Sequence, residues 1–371
     1  MMNDDLRRTS ILQHLAALVA IDTSNPPREI AADGPLVAYL RQVLVPLGFA
    51  FEVTDHGAGH LTIAARRGAP EVLFNVHLDT VPATPAWTAD PWALHVTAER
   101  ATGLGACDIK GAAAALLHLA AAEPDLPLAL LMTTDEEGSG GCCVKRFCAA
   151  GLAQPYRQAV IAEPTGGRAI LAHRGFLSAH GRFSGAPGHS SEPRALANNA
   201  LHQAVGWAAE ALALARAEQT HEIEGFKGIC LNIGRLAGGV KSNVIASEAI
   251  VHWSARPRPG EDCTAWHQRL CETDEGRRAV WEAPFTGPPL PAPGQTTEAA
   301  EHFVAAHDLP RGAPVQFWTE ASLFSAAGVP ALVLGPGEIA QAHAADEWVA
   351  LEQLTVAYRL YARLAGGRGD A

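Results

Sequence analysis

Apolar residues recur along the first half of the chain in two alternating rhythms. Short runs at 61–65 (LTIAA), 71–80 (EVLFNVHLDT), 128–138 (LALLMTTDEEG) and 158–165 (QAVIAEPT) read as buried strands, each ending in polar residues. Between them the alanine-rich stretch 111–124 (GAAAALLHLAAAEP) reads as a helix. Such alternation predicts an α/β domain, a sheet with helices on its faces, whose ligands gather where loops converge at the carboxyl ends of the strands. From Gly175 the rhythm changes: 175–185 alternates like a half-buried strand, Ala195–Ala217 reads as a long helix, and 228–236 and 248–257 read as further strands before a helix over Thr264–Cys271. Two helices on one face of a small antiparallel sheet make a compact α+β unit. After the proline-rich linker 283–294, a buried strand at 329–337 and a closing helix over Glu352–Leu364 resume the first pattern. The expected organisation is a first domain in two parts, 1–174 and 285–371, with 175–284 inserted between them.

Length agrees with this division, since 371 residues exceed what one core usually supports. The net charge of −11, from 28 basic and 39 acidic residues, argues against a nucleic-acid surface. Part of that acidity suits carboxylates gathered round a cation. Seven cysteines form an odd set without a C-x-x-C pair and read as reduced thiols of the cytoplasm. The apolar stretch Ile11–Ile21 is preceded by Asp4 and Asp5 and interrupted by His14, so it reads as an amphipathic helix rather than a cleaved leader. No run of ~20 apolar residues offers a membrane span.

The candidate chemistry sits at the predicted strand ends. The strand before His77 delivers His77 and, two residues later, Asp79 to the same side of the chain. A metal-bound imidazole usually gives its other N–H to an oxygen acceptor, a role open to Asp79. Gly103-Leu-Gly105-Ala-Cys107-Asp108-Ile-Lys110-Gly111 is a glycine-rich turn into a helix. It lacks the spacing of a phosphate loop, and its aspartate suits a cation better. Asp135, Glu136 and Glu137 crowd one strand end, an arrangement that a bound cation relieves. Adjacent glutamates point in different directions, so one can ligate while the other stays free as a base. Glu163 ends another strand, and His343 lies in the loop before the last helix. Oxygen and imidazole donors together suit zinc, cobalt or manganese. Judged alone, each motif has an ordinary structural reading; five candidate ligands after strand ends do not.

The motifs NVHLDTVP, GLGACDIKG, TTDEEG, AEPT, GHSS, RPRPG and AQAHAADE, in this order, resemble the metal-dependent amidohydrolase and peptidase family that includes acetylornithine deacetylase, succinyl-diaminopimelate desuccinylase, aminoacylase and carboxypeptidase G. FWTEASLF and GPGEIAQAHAADE are most similar to the acetylornithine deacetylase branch with its acetylcitrulline-cleaving relatives. The resemblance implies a mixed-sheet catalytic domain carrying an inserted, ferredoxin-like lid that makes a homodimer. It implies one or two Zn2+ or Co2+ ions per subunit, His77 and Glu163 on one, Glu137 and His343 on the other, and Asp108 between them with a cis bond to Ile109. It further implies that Asp79 orients His77, that Glu136 is the catalytic base, and that His189 of the lid reaches the partner's active site. Asn243 and Arg256 would grip the substrate carboxylate. Glu320 is open to two readings, a sensor of a cationic side chain or a buried, hydrogen-bonded loop residue. Two departures stand out. The desuccinylase branch has a different loop where this chain has Thr319-Glu320-Ala-Ser322, and the Gly-Ser-Gly-Gly-Cys-Cys stretch after Glu137 is looser than in many relatives.

The implied reaction is removal of the acetyl group from an N-acetyl-L-amino acid, N-acetyl-L-ornithine or N-acetyl-L-citrulline, as in arginine biosynthesis. The alternatives are a metallo-exopeptidase or general aminoacylase, which shares the ligands and differs in the pocket, and a non-enzymatic metal-binding relative. The presence of Glu136 argues against the last. A serine hydrolase is disfavoured because Ser190 and Ser191 lie in no G-x-S-x-G elbow.

Overall fold

Apolar runs in the first half of the chain, with an edge strand at 50–55 and one strand from the last part of the chain, build a six-stranded sheet in the computed structural model, which describes residues 4–138, 142–223 and 225–366. Its strand order is 50–55, 61–67, 128–133, 72–77, 158–161 and 331–333. The first two pairings are antiparallel and the remaining three parallel, so the sheet is mixed. Strands Val72–His77, Leu128–Thr133 and Gln158–Ile161 are buried along their whole length, as central strands covered on both faces require. Helix Gly111–Ala122 is buried over almost every position because its alanines let neighbouring elements approach closely. It packs against helix Asp4–Val19 and against helix Leu351–Leu364, and the core there includes Phe74, Leu116, Leu354 and Tyr361.

The parallel register decides what meets at the strand ends. His77 pairs with Thr133, and Asn75 with Ile161. Two residues beyond Ile161 therefore bring Glu163 level with His77, while the chain leaving Thr133 carries Asp135, Glu136 and Glu137 off the same edge.

The chain forms two compact units, the first comprising 1–171, 296–313 and 319–371 and the second 172–295 and 314–318. In the second unit, strands 230–238, 248–256, 176–184 and 280–281 form an antiparallel sheet, with 285–287 also paired to 176–184. Strands Phe176–Ser184 and Glu248–Arg256 alternate buried and less buried residues, so the sheet presents one apolar face. Helices Ala200–Ala217 and Cys263–Cys271 supply Trp207, Ala211, Trp266 and Leu270 to the core shared with Leu177, Phe183, Val251 and Trp253. This is the α+β arrangement expected from the sequence. The long helix starts at Ala200 rather than Ala195, because the Asn199 side chain accepts the Leu201 N–H at 2.9 Å and caps it. Sequence reading also passed over helix Pro35–Leu44 and the half-exposed strand Ala50–Asp55. No helix among the described residues is long and apolar enough to cross a membrane.

Candidate functional site

Two triads of metal-type donors share one residue at the carboxyl edge of the first sheet. His77, Asp108 and Glu163 form one, and Asp108, Glu137 and His343 the other; within each triad the donor atoms lie within 4.8 Å of one another. The Asp108 carboxylate divides between them, with Oδ1 3.0 Å from His77 Nε2 and Oδ2 3.2 Å from His343 Nε2. Glu163 Oε1 is 3.5 Å from the same His77 nitrogen, and Glu137 Oε1 is 2.8 Å from His343 Nε2.

Each donor is positioned by its local chain. The turn 103–111 holds Asp108 through Glu347, whose carboxylate accepts the backbone N–H groups of Gly105, Cys107 and Asp108 at 3.0, 2.8 and 2.9 Å. Gly105 in that turn has φ +77°, a conformation glycine adopts freely. The Asp108–Ile109 peptide bond is cis. Sequence reading missed Glu347, one more acid in a loop motif, and also Lys110, which is fully buried and donates to the Ile21 carbonyl at 3.1 Å. Asp79 links two segments that carry triad residues. Its Oδ2 accepts the Glu137 N–H at 2.9 Å, while His77 Nδ1 lies 3.0 Å from the Asp79 carbonyl and 3.6 Å from its Oδ1. His343 is half-exposed on its loop with φ +56°.

The electrostatics describe a site that demands positive charge. Burial, with Asp108 and Glu137 close by, pushes Glu163 up to about 8, and burial with Glu163, Glu137 and Asp108 raises Glu136 well above the ordinary range. Burial alone would lower His77, yet Glu163, Asp108 and Asp79 hold it well above its usual value. Hydrogen bonds from the His343 ring to the Asp108 and Glu137 carboxylates raise His343 to about 11. Imidazole nitrogens facing carboxylate oxygens across short gaps, with one carboxylate common to both groups, are a donor set that fits two zinc-like ions. Glu136 belongs to neither triad.

The other expected site residues separate into two groups. Glu320 is in the first unit, 2% exposed, with Oε2 accepting the Thr133 hydroxyl at 3.3 Å. His189, Asn243 and Arg256 are in the second unit. There the main chain pairs His189 with Val244, and Ser190 N–H donates to the Asn243 carbonyl at 3.1 Å, so the GHSS and KSNVI motifs lie side by side. His189 and Asn243 are exposed. Arg256 ends its strand with the guanidinium carbon 4.0 Å from the Phe176 ring centre. Of the looser stretch after Glu137, residues 139–141 lie outside the described residues.

The sequence pattern of Peptidase family M20/M25/M40 matches residues 73–366. The N-acetyl-L-citrulline deacetylase of Xanthomonas campestris pv. campestris is 47% identical over 351 residues, 93% of this chain and 94% of that protein. The acetylornithine deacetylase of Proteus mirabilis is 31% identical over 330 residues, covering 85% and 84% respectively. In fold, the chain is similar to an M20 family metallo-carboxypeptidase from Sulfolobus solfataricus, with a TM-score of 0.73 at 16% identity over 96% of this chain and 98% of that one.

Proposed function

Because this chain belongs to peptidase family M20/M25/M40, we propose that it is a metal-dependent deacetylase that cleaves the acetyl amide of an N-acetyl-L-amino acid, N-acetyl-L-citrulline foremost. The observation that carries the reaction class is Asp108 shared between two donor triads with Glu136 left outside both. His77 and Glu163 would hold one ion, Glu137 and His343 the other, with Asp108 bridging. Bound zinc or cobalt would make a water acidic enough to ionise near neutrality and would polarise the acyl carbonyl.

The chain's own groups manage the protons and the fit. Glu136, outside both donor triads, takes a proton from the attacking water and returns it to the departing amine. Asp79 steadies the His77 loop and the Glu137 main chain together. The roles of His189 in oxyanion stabilisation, and of Asn243 and Arg256 in holding the substrate carboxylate, follow from the resemblance, and a planar guanidinium suits bidentate capture. With them we adopt the homodimer.

Two observations favour citrulline over ornithine as the leaving amine. One is the 47% identity to the citrulline-directed relative against 31% to the ornithine-directed one. The other is that Glu320 is buried against Thr133 rather than presented to solvent, as a carboxylate sensing a cationic side chain would be. The reaction belongs in arginine biosynthesis. Seven free cysteines support a reducing, cytoplasmic setting.

Assays of protein loaded with Zn2+ or Co2+ against N-acetyl-L-citrulline, N-acetyl-L-ornithine and a panel of dipeptides test the proposal. Acetylcitrulline is expected to give the highest kcat/KM. Faster turnover of dipeptides, with acetylated amino acids untouched, would instead identify an exopeptidase.

A further inference from the structure

A third group of metal-type donors lies outside both triads. His60, Asp135 and Cys142 each offer a ligand atom within 4.8 Å of the other two. His60 closes the turn before strand Leu61–Arg67, Asp135 follows strand Leu128–Thr133, and Cys142 precedes helix Cys143–Ala149. None of them enters the proposed hydrolysis.

The hydrogen bonding around the group is incomplete at one atom. Asp135 is fully buried, and its Oδ2 accepts the N–H groups of Cys142 and Cys143 at 2.7 and 2.9 Å. Its Oδ1 is buried without any hydrogen-bond partner. A buried carboxylate oxygen with no donor is costly and calls for a cation. The surroundings are otherwise braced. Thr134 Oγ1 donates to the Gly59 carbonyl at 2.6 Å and accepts the Leu61 N–H at 2.8 Å, which pins both flanks of His60. Fixing donors through their own hydrogen bonds is what metal sites require.

The spacing also fits. His60 Nδ1 is 3.6 Å from Cys142 Sγ. A tetrahedral zinc with Zn–N ~2.0 Å and Zn–S ~2.3 Å holds its nitrogen and sulfur ligands ~3.5 Å apart. A cysteine–histidine nucleophile pair is the competing reading, but burial and Asp135 push the Cys142 thiol up to about 11, the opposite of an activated thiolate.

We propose that His60, Asp135 and Cys142 bind one zinc ion, separate from the hydrolytic centre, that ties the 57–60 turn to the start of helix Cys143–Ala149 and so braces the turn bearing Glu136 and Glu137. On binding, the Cys142 thiol loses its proton to solvent and the thiolate ligates, with water in the fourth position.

Titration of the metal-free, full-length protein with Co2+ tests this without reference to activity. The hydrolytic centre offers only oxygen and nitrogen donors, so a thiolate-to-cobalt charge-transfer band in the near ultraviolet reports cysteine ligation alone. The expected result is such a band, total uptake of about three ions per chain, and bleaching of the band by excess Zn2+. Cys142→Ser should abolish the band and reduce uptake to about two ions, while Cys107→Ser and Cys143→Ser keep both. His60→Ala, on the half-buried turn, should weaken the band's Co2+ affinity by about tenfold or more, and it serves if Cys142→Ser folds poorly. In the parent protein Zn2+ should slow alkylation of Cys142. Absence of the band, its survival in Cys142→Ser, or alkylation of Cys142 unaffected by Zn2+ would overturn the proposal.

Discussion

Glu163 in the first unit and Glu218 in the second are the same residue type at nearly the same exposure, 5% and 8%, yet their proton affinities move in opposite directions. Glu218 receives His221 Nδ1 at 2.9 Å, Arg269 Nη1 at 2.8 Å and Arg258 Nη2 at 3.1 Å, and these partners pull it down to about 2. Glu163 is pushed up to about 8 first by burial and then by Asp108 and Glu137, against the pull of His77 and His343. A buried carboxylate surrounded by fixed cations is finished as a structural device. One surrounded by other carboxylates is unfinished until a cation arrives. The contrast separates the two kinds of polar cluster without reference to any relative.

Substitutions should break the two clusters in different ways. Glu136→Ala is expected to lower kcat by about two to four orders of magnitude with metal content unchanged, read by turnover beside metal analysis. Nearly full activity would remove Glu136 from the chemistry. His343→Ala should weaken metal affinity by at least about 10–100-fold while leaving the fold intact, since it deletes a donor half-exposed on a loop. Unchanged affinity in a competition assay with a chelator would show that His343 is no ligand. Glu218→Ala should do the reverse. It strips partners from the buried Arg258, which keeps Glu261 at 2.7 Å, and is expected to cost about 2 kcal/mol in denaturant unfolding with metal uptake untouched.

The smallest effects are those of pH, and their signs differ. The folded Glu218 value lies below that of an unfolded glutamate, so its contribution is full above about pH 4.3 and is lost as pH falls toward about 2. Glu163 and His343 are raised in the metal-free fold, so metal-free stability should decline as pH rises from about 4.3 through about 8, and further toward about 11. Unfolding curves of metal-free and zinc-loaded protein at pH 6 and pH 9 should therefore diverge at the higher pH. A constant difference would contradict the assignment.

Most of the residues that meet in the two donor triads were legible because strand ends announce themselves. A continuous apolar run followed by His77, by Glu136 and Glu137, or by Glu163 marks both the strand and the edge where its polar residues emerge. The parallel register that sets Glu163 level with His77 is a property of pairing between distant segments, which no local pattern contains. Glu347 escaped notice for the same reason: its acceptance of three N–H groups from the 103–111 turn links residues far apart in the chain. Helix Pro35–Leu44 did carry a signal, with Pro35 in its first turn and Leu36, Leu40 and Leu44 recurring every fourth position. Strand Ala50–Asp55 lies at the sheet edge without a fully buried residue, so only Phe51 and Val53 mark its inner face. The His60–Asp135–Cys142 group was invisible because His60 precedes a different strand from the one that Asp135 and Cys142 follow, and only Asp135 stood in a recognised motif.

The most direct test of the shared-carboxylate centre is anomalous diffraction from crystals of the zinc-loaded protein. Besides any peak at the His60–Asp135–Cys142 group, two strong peaks about 3.5–4 Å apart, one beside His77 and Glu163, the other beside Glu137 and His343, with Asp108 between them, are the predicted result. Zinc bound elsewhere, with these five side chains free of any peak, would contradict it.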